Sequence, residues 1–131
     1  MDTADLDTVA QLYRAFAERD IPAILGRFDP DIVINQCSQL PWGGTHRGRD
    51  AAVDFFTTLL THVDSSVEPQ RMFSAGDAVI QVGRTTGKTV ASGAAFEVDE
   101  VHVWRLRDNR VVAFDIYVDT PAMLTALESD R

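Results

Sequence analysis

The change in hydrophobic period at about residue 66 constrains this chain more than any other feature. Before that point, apolar residues recur mostly at helical spacing, in three separate segments. After it, four runs with the composition of strands follow one another, at 66–74, 78–88, 94–106 and 110–118. Helices first and strands later predict an α+β domain, in which a curved antiparallel sheet wraps over the helices.

The first two helical segments are separated by a restart of the chain at Asp20. The first helix is predicted to run to about Arg19 and to bury a face made of Leu6, Val9, Tyr13 and Phe16. Asp20 is a good N-cap, and Pro22 is tolerated in the first turn of the second helix. That helix is predicted to direct Phe28 inward and to end at the Pro-Asp pair 30–31.

A strand, a loop and a third helix are predicted between residues 32 and 63. Residues 32–34 are β-branched and begin a strand that ends in the polar pair Asn35-Gln36. The following loop contains Gly43-Gly44, which could make it a lid. Residues 49–63 carry a broad apolar stripe, which predicts a buried helix. A final short helix is predicted after residue 119.

The composition is that of one globular domain, spanning residues 1–131, with an acidic surface. Apolar residues make up 45% of the chain and charged residues 24%, which is the balance of a folded protein. The formal net charge of −8 repels phosphate backbones and anionic lipid heads. No nucleic-acid partner and no membrane partner is therefore expected.

Neither secretion nor a bound metal is expected from the sequence. The stretch MDTADLD lacks the basic and apolar regions of a signal peptide, which favours a cytoplasmic protein. Cys37 is the single cysteine, and its simplest interpretation is a small buried apolar residue. The histidines at 46, 62 and 102 have no second ligand at zinc-like spacing, and no phosphate-binding glycine motif occurs. The sequence therefore predicts no metal and no cofactor.

Three phrases, together with the order of the elements, carry a resemblance to a known family. They are YRAFAERDIPAILGRFDPDIVI (13–34), GTHRGRDAAVDFF (44–56) and VWRLRDNRVVAFDIYVDT (103–120). The chain resembles the SnoaL-like branch of the nuclear transport factor 2-like superfamily, to which ketosteroid isomerase, limonene epoxide hydrolase and the polyketide cyclases also belong. This fold hosts isomerases, cyclases, hydrolases, dehydratases and binding modules, so the chemistry has to be argued from the site.

The resemblance implies a cone-shaped antiparallel or mixed sheet around the N-terminal helices, with an apolar pocket at its open end. A small hydrophobic molecule is the partner that such a pocket implies. Family members are often dimers through the outer face of the sheet, so a homodimer is expected here. The last hairpin has apolar residues on both faces, which agrees with that expectation.

His102 is the first candidate catalytic residue. Aligned on VWRLRDNRVV, it falls where ketosteroid isomerase has the protonated aspartate of its oxyanion hole, so the resemblance implies a donor role. Strand alternation puts His102 on the same face as Trp104 and Leu106, which would form the pocket wall. A neutral imidazole there could donate to a carbonyl oxygen or move a proton near neutral pH. The alternative is an inert histidine that faces solvent or a dimer seam.

Asp115 is the second candidate catalytic residue. SnoaL-like cyclases pair a histidine on one strand with an aspartate on the next, and Asp115 is the nearer match to that aspartate. Across the hairpin it would orient or charge-balance His102. Strict alternation also allows Asp115 to face outward, and the nearby Asp119 is most simply a helix cap.

Six further residues are candidates for ligand binding: Tyr13, Asn35, Gln36, Trp42, Trp104 and Tyr117. Asn35 and Gln36 end the first strand, where the isomerase has its general base. Amides cannot abstract a carbon-bound proton, but they can bind a carbonyl or hydroxyl group. The alternative is that both are strand-end residues hydrated by solvent. The hydroxyl of Tyr13 is expected at the pocket, Trp42 at its mouth and Trp104 in its wall, whereas the direction of Tyr117 stays open.

Two functions stay open at this point. In the first, the chain is an enzyme of the cyclase, isomerase or dehydratase type that binds a hydrophobic, oxygenated or polycyclic molecule, and His102 transfers a proton. In the second, it is a binding module without chemistry, which the missing carboxylate base favours. Chemistry like that of limonene epoxide hydrolase would need an arginine and two acids, and Arg84 or Arg105 with Asp115 fits that requirement only loosely.

Overall fold

The computed structural model describes residues 3–128, which form four helices and six strands. In chain order these are α1 (Thr3–Ala17), α2 (Ile21–Gly26), β1 (Phe28–Gln36), β2 (Gly44–Arg47), α3 (Arg49–His62), β3 (Val63–Ala75), β4 (Ala78–Thr89), β5 (Ala95–Arg107), β6 (Arg110–Val118) and α4 (Thr120–Glu128). None of the helices described is both long and apolar enough to span a membrane.

The strands form one sheet in the order β2-β1-β6-β5-β4-β3. Strands β3 to β6 make the predicted antiparallel meander, and β1 joins it by pairing in parallel with β6. The sheet is curved, and it is not closed, because β2 and β3 lie at its opposite edges. The prediction of an α+β fold with a curved, mixed sheet over helices is confirmed.

The hydrophobic core lies between the inner face of the sheet and helices α1 and α3. Val9 of α1 and Phe55 of α3 are at most 1% exposed. On the sheet, Trp104 stacks on Phe114 of the neighbouring strand, with ring centroids 3.6 Å apart. Aromatic side chains from the sheet and from the helices therefore belong to one hydrophobic core.

Strand β5 shows how a two-residue period positions the site. Its even-numbered residues from Val98 to Leu106 are buried on the inner face, whereas its odd-numbered residues are half-buried or exposed on the outer face. His102 pairs with Gln81 of β4 on one side and with Ile116 of β6 on the other. The inner face of β5 thus places polar side chains at the centre of an otherwise apolar layer.

The second helix is shorter than predicted. It ends at Gly26, and Phe28 begins β1 instead of completing the helix. Pro30 lies within this strand, where its missing N–H is tolerated because the register between β1 and β6 is irregular between Phe28 and Val33. Asp20 caps α2 as predicted, since its side chain accepts a hydrogen bond from the N–H of Ala23 at 3.2 Å.

The predicted loop after β1 contains the short strand β2, which sequence reasoning missed. Asn35 of β1 pairs with Thr45 of β2, so the chain returns alongside β1 before α3. The turn between them is tight, because a Cβ at Gly43 would lie 1.8 Å from the carbonyl oxygen of Cys37. Trp42 is 2% exposed, so the structure holds this loop against the core rather than apart from it as a lid.

The prediction that Cys37 is buried is wrong, because the turn after β1 leaves its side chain exposed. Only the even-numbered positions of β1 near its end, such as Ile34, reach the core. Cys37 lies one residue beyond the strand, where this alternation has ended. Its apolar character is therefore not evidence of burial at this position.

The outer face of the sheet carries a half-buried apolar patch. It consists of Ile80, Val82, Val101, Val103 and Ala113, contributed by β4, β5 and β6. Tyr117, next to this patch, is 60% exposed. This face has no helix of the described chain packed over it, since α1 and α3 contact the other side.

Candidate functional site

A cavity of about 80 Å³ lies between the helices and the inner face of the sheet. Its wall is mainly aliphatic and aromatic, with contributions from Leu12, Phe55, Phe114, Ile116 and Met123 among others. The side chains with oxygen or imidazole nitrogen atoms in this wall are Tyr13, Gln36, Ser65, Thr85 and His102. The cavity is therefore an apolar space with a small number of polar groups, which is the usual make-up of a small-molecule site.

The hydroxyl of Tyr13 is the centre of a buried polar network. Trp104 Nε1 lies 2.8 Å from Tyr13 Oη, and Gln81 Nε2 lies 3.2 Å from the same oxygen. His102 Nδ1 lies 2.8 Å from it on a third side. Tyr13 comes from α1, whereas its three partners come from β4 and β5, so the network ties the helix to the sheet.

Glu100 closes the network behind His102. Both of its carboxylate oxygens accept from Gln81 Nε2 at 2.9 Å, and Oε2 lies 3.4 Å from His102 Nε2. Glu100 is 3% exposed and His102 is 6% exposed, so these contacts are shielded from water. We refer to Tyr13, Gln81, Glu100, His102 and Trp104 as the polar network.

The donors in the polar network determine the direction of its hydrogen bonds. The indole N–H of Trp104 and the amide N–H groups of Gln81 can only donate. Both lone pairs of the Tyr13 oxygen are therefore occupied, and the Tyr13 O–H donates to His102 Nδ1. The imidazole proton then lies on Nε2, which faces the carboxylate of Glu100.

Burial sets the charges of these groups. It raises the pKa of Tyr13, so the hydroxyl stays neutral. It lowers the pKa of His102 to about 3, so the imidazole is neutral near pH 7. It also raises the pKa of Glu100 to about 7, although the Gln81 hydrogen bonds act in the opposite direction. Glu100 is thus the member of the network that gains or loses a proton near neutral pH.

Gln81 holds this arrangement at a cost. Its side chain is fully buried, and its Oε1 atom has no hydrogen-bond partner. An unpaired buried carbonyl costs about 1–3 kcal/mol. Gly83 gives this oxygen its space, because a Cβ at that position would lie 2.5 Å from Gln81 Oε1. The fold tolerates the unpaired oxygen while the amide nitrogen contacts both Tyr13 and Glu100.

Five of the eight predicted site residues lie in the cavity wall: Tyr13, Gln36, Trp42, Trp104 and His102. The structure thus brings the predicted inward histidine and the tyrosine of the first helix into direct contact. Trp42 is buried inside the wall instead of bordering an open mouth. Its ring lies near His62, with centroids 6.2 Å apart.

Asp115 does not meet His102, because the two side chains lie on opposite faces of the sheet. Asp115 is paired in register with Val103, an outer-face residue, and His102 is paired with Ile116. The carboxylate of Asp115 instead accepts a hydrogen bond from Asn35 Nδ2 at 2.8 Å. The expected support of His102 by Asp115 is therefore absent, and the alternation that allowed Asp115 to face outward describes the structure.

Asn35 and Tyr117 also lie outside the cavity wall. Thr45 donates to Asn35 Oδ1 at 2.9 Å, so Asn35 bridges β2 and β6 on the outer face. Both residues border a second, more polar pocket of about 240 Å³ at the strand ends, with Cys37 and Thr120. Gln36, Ile116 and Val118 line both spaces, so the two pockets adjoin.

The arginines considered for epoxide-hydrolase-like chemistry do not reach the cavity. Arg84 forms ion pairs with Glu97 and Asp99, and its side chain is 45% exposed. Arg105 pairs with Asp77, again on the exposed side of the sheet. Among residues 3–128, no group of three His, Cys, Asp or Glu side chains is placed to hold a metal ion.

Sequence reasoning missed Glu100 and Gln81. A signal for Glu100 was present, because it precedes His102 by two residues and the same alternation directs both side chains inward. Gln81 had a weaker signal: it is a polar residue within an apolar run, and its position opposite His102 depends on the register of β4 and β5. That register is not readable from the turn sequence alone.

The comparisons with known proteins agree with this architecture. The family model of the SnoaL-like domain matches residues 9–114. None of the curated proteins matches the chain. Among solved structures, an NTF2-like protein of unknown function from Burkholderia pseudomallei K96243 has 27% identity and a TM-score of 0.90, with 95% of this chain and 98% of that chain covered.

Two further structures have the same fold. TerC, co-crystallised with polyporic acid, is 25% identical with a TM-score of 0.88, over 96% of this chain and 99% of that chain. A putative SnoaL-like polyketide cyclase from Jannaschia sp. CCS1 is 21% identical with a TM-score of 0.83, over 97% of this chain and 93% of that chain, and it supports the fold alone. Because the family model covers most of its length, the chain belongs to the SnoaL-like family and has the NTF2-like fold.

Proposed function

We propose that this SnoaL-like domain is an acid-base enzyme of the cyclase, isomerase or dehydratase type, acting on a small apolar molecule with a carbonyl or hydroxyl oxygen. The observation that carries the proposal is Tyr13, which lines an apolar cavity together with His102 and whose hydroxyl lies 2.8 Å from His102 Nδ1. The apolar wall suits the hydrocarbon part of such a molecule, and the hydroxyl suits its oxygen.

The polar network supports general acid catalysis at that oxygen. Tyr13 stays neutral and can donate, since burial raises its pKa. Neutral His102 connects it to Glu100, whose pKa is raised to about 7 by burial. A group with a pKa near the working pH is the efficient proton source in such a chain. A proton given to the ligand by Tyr13 is replaced when His102 Nδ1 passes its hydrogen to the Tyr13 oxygen and His102 Nε2 takes the proton of the Glu100 carboxyl group.

The size of the cavity limits the ligand. A cavity of about 150 Å³ in another protein holds benzene, so the present space of about 80 Å³ has to widen even for a molecule of one ring. The wall residues Phe16, Leu59 and Val67 are only half-buried, which places the opening of the cavity beside them. A polycyclic ligand would need these side chains to move apart.

A binding module without chemistry is the second candidate, and one observation favours it. In the ligand-free arrangement, the Tyr13 oxygen and both His102 nitrogens already have partners within the protein. His102, with its pKa lowered to about 3, is also a weak base. A ligand could therefore fill the apolar space and leave unchanged.

Exchange of the α-hydrogens of cyclohexanone in D₂O separates the two functions. Cyclohexanone is a one-ring ketone, and its enolisation responds to an acid at the carbonyl oxygen. The enzyme proposal predicts exchange faster than in buffer, followed by NMR, together with saturable binding. Saturable binding without faster exchange would support the binding module instead. Polyporic acid, with which TerC was crystallised, serves as a larger probe of the opening.

Two variants connect the exchange to the site. Tyr13→Phe is expected to reduce the acceleration by at least ~10-fold, because the general acid is removed. Tyr117→Phe is the matched control, since this hydroxyl is on the outer face and its residue is 60% exposed. Equal rates for the two variants would rule out Tyr13 as the acid.

A further inference from the structure

Glu100 is a buried acid that lies behind the cavity wall rather than in it. It is 3% exposed and is not among the residues that line the cavity. Its contacts are Gln81 Nε2 at 2.9 Å and His102 Nε2 at 3.4 Å. The hydrogen-bond contacts of Glu100 therefore connect it to the cavity through His102 and Gln81, both of which contact Tyr13.

With Glu100 ionised, the network has one consistent set of hydrogen bonds. His102 Nε2–H faces the carboxylate, so Nδ1 has a free lone pair. The Tyr13 O–H donates to that lone pair at 2.8 Å. Because Trp104 and Gln81 already donate to the Tyr13 oxygen, the hydroxyl has neither a proton nor a lone pair left for a ligand.

With Glu100 protonated, a second set becomes possible after small shifts, which must shorten the 3.4 Å between Glu100 Oε2 and His102 Nε2 and turn Gln81 away from Tyr13. The carboxyl O–H can donate to His102 Nε2, which then carries no proton. The imidazole proton lies on Nδ1 and is donated to the Tyr13 oxygen, which must then give up the longer of the two contacts that it accepts, the one from Gln81 at 3.2 Å. The hydroxyl hydrogen of Tyr13 is released and can point into the cavity. One proton has been added to Glu100, and each other group still holds as many protons as before.

We infer that Glu100 is a positioning residue whose protonation selects the nitrogen of His102 that carries the hydrogen, and thereby whether Tyr13 donates to His102 or to a molecule in the cavity. The selection itself concerns the ligand-free protein and does not depend on catalysis. Its consequence for a bound molecule rests on the proposed function.

Three side chains of the polar network face Glu100, and the charged residues nearby lie on the outer face or are exposed. Tyr13 of α1, Gln81 of β4 and His102 of β5 face it, while its paired neighbours are Gly83 of β4 and Val118 of β6. The charged residues nearest in sequence, Glu97 and Asp99, lie on the outer face with Arg84. Glu68 and Arg71 of β3 and Glu128 of α4 are exposed. Burial raises the pKa of Glu100 to about 7, so the change falls near neutral pH.

Gln81 keeps the carboxylate in place for this role. Its amide nitrogen contacts both carboxylate oxygens, and its own carbonyl oxygen has no partner. If the amide turned over when Glu100 is protonated, the carboxyl hydrogen could go to Gln81 Oε1 instead of His102. His102 would then keep its hydrogen on Nε2, which is an observable alternative.

The test is an NMR titration of the ¹⁵N-labelled, ligand-free protein between about pH 5.5 and 8.5, following the ring nitrogens of His102. The expected result is that Nε2 carries the hydrogen at high pH and Nδ1 at low pH, with the exchange centred near the pKa of Glu100. Glu100→Gln has no proton to gain, so its His102 signals are expected not to change over this range. Glu68→Gln, which removes an exposed carboxylate of β3, is expected to behave as the wild type.

Four results would overturn the inference. They are one His102 nitrogen keeping its hydrogen throughout, both nitrogens becoming protonated together, Glu100→Gln keeping the wild-type transition, and Glu68→Gln losing it. The wild-type titration decides the matter even if Glu100→Gln does not fold. If the His102 tautomer changes with pH as expected but the protein does not accelerate hydrogen exchange of the ketone, this inference stands and the proposed enzyme activity is ruled out.

Discussion

At the scale of single residues, the hydroxyl of Tyr13 is central to the site, because Tyr13 lines the cavity and its hydroxyl contacts three side chains of the polar network. It lies within 2.8 Å of both Trp104 Nε1 and His102 Nδ1. Tyr13 and His102 are 89 residues apart in the sequence, so only the folded sheet brings them together. The same hydroxyl is therefore a structural link and the candidate donor to a ligand.

Tyr13→Phe tests the structural half of this statement. The substitution leaves the N–H of Trp104 and one N–H of Gln81 without their acceptor, which is expected to lower the free energy of unfolding by about 1–3 kcal/mol. Urea denaturation followed by tryptophan fluorescence measures the change. Tyr117→Phe, at an exposed hydroxyl, is expected to change stability by no more than about 0.5 kcal/mol. Equal stability of the two variants would contradict the hydrogen bonds assigned to Tyr13.

The raised pKa of Glu100 predicts a pH-dependent stability difference. Its folded pKa is about 7 and its ordinary value is 4.5, so the folded state holds a proton that the unfolded state has lost between these values. Its stabilising contribution is therefore full below about pH 4.5 and is lost as the pH rises through about 7. Relative to Glu100→Gln, the wild type is expected to lose about 3 kcal/mol over this window, since one pKa unit is about 1.4 kcal/mol.

The contribution of His102 to stability changes with pH in the opposite direction, because burial lowers its pKa from 6.5 to about 3. Between these pH values His102 binds a proton in the unfolded state but not in the folded state. Its stabilising contribution to the folded state therefore grows as the pH rises from about 3 to 6.5. Of these two contributions to stability, Glu100→Gln removes that of Glu100 and keeps that of His102, so its stability is expected to rise up to about pH 6.5. Urea midpoints measured from pH 5 to 8 check both slopes. Parallel curves for the two proteins would show that Glu100 does not titrate in this window.

The inward direction of His102 and Trp104 was predictable from the two-residue period of β5, and the structure agrees with it. The partner of His102 was not predictable in the same way. Asp115 was expected from the family resemblance, but the register of β5 and β6 places it on the other face. The acid near His102 is instead Glu100 of the same strand, because residues two apart in a strand share a face.

At the scale of elements, strand β4 positions the amide that links the polar network. Gln81 reaches Tyr13 and Glu100 only because Gly83 leaves space beside it. A Cβ at Gly83 would lie 2.2 Å from the carbonyl oxygen of Glu68 on β3 and 2.5 Å from Gln81 Oε1. The glycine is therefore required by the close approach of two strands and one side chain.

Gly83→Ala is expected to lower the free energy of unfolding by about 1–3 kcal/mol, because β3 or Gln81 must shift to admit the methyl group. It is also expected to change the His102 ring ¹⁵N shifts, since Gln81 contacts the same network. Gly26→Ala in α2 is the matched control, because a Cβ there meets nothing within 4 Å. A Gly83→Ala protein with wild-type stability and wild-type shifts would contradict this account of β4.

Most elements were predictable because their apolar periods are long, as in α3 and the β5–β6 hairpin. Strand β2 was not, because its four residues have no apolar alternation and are held by pairing with β1. The end of α2 was misplaced for a related reason. Phe28 continues the helical spacing, but pairing of Phe28 with Val111 of β6 prevails over that local pattern.

At the scale of the whole molecule, the outer face of the sheet is the surface that the family resemblance associates with a dimer. The homodimer stays a prediction. The half-buried valines of this face, together with Ile80 and Ala113, form an apolar patch on the side of the sheet away from α1 and α3. Such patches on soluble domains commonly mark interfaces.

Val103→Lys places a charge at the centre of this patch and is expected to convert a dimer into a monomer. Val53→Lys is the matched control, because Val53 is 40% exposed on α3, away from the outer face. Size-exclusion chromatography with light scattering measures both masses. A monomeric wild type, or a Val103→Lys protein that remains a dimer, would show that this face is not the interface.

The account as a whole depends on the cavity receiving a molecule whose oxygen meets Tyr13. A crystal structure of the protein grown with cyclohexanone tests this most directly. The prediction is a ketone inside the cavity, with its oxygen about 2.6–3.2 Å from Tyr13 Oη, which is the range of a hydrogen bond. A ketone bound only elsewhere, or one in the cavity with its oxygen directed away from Tyr13, would contradict the account.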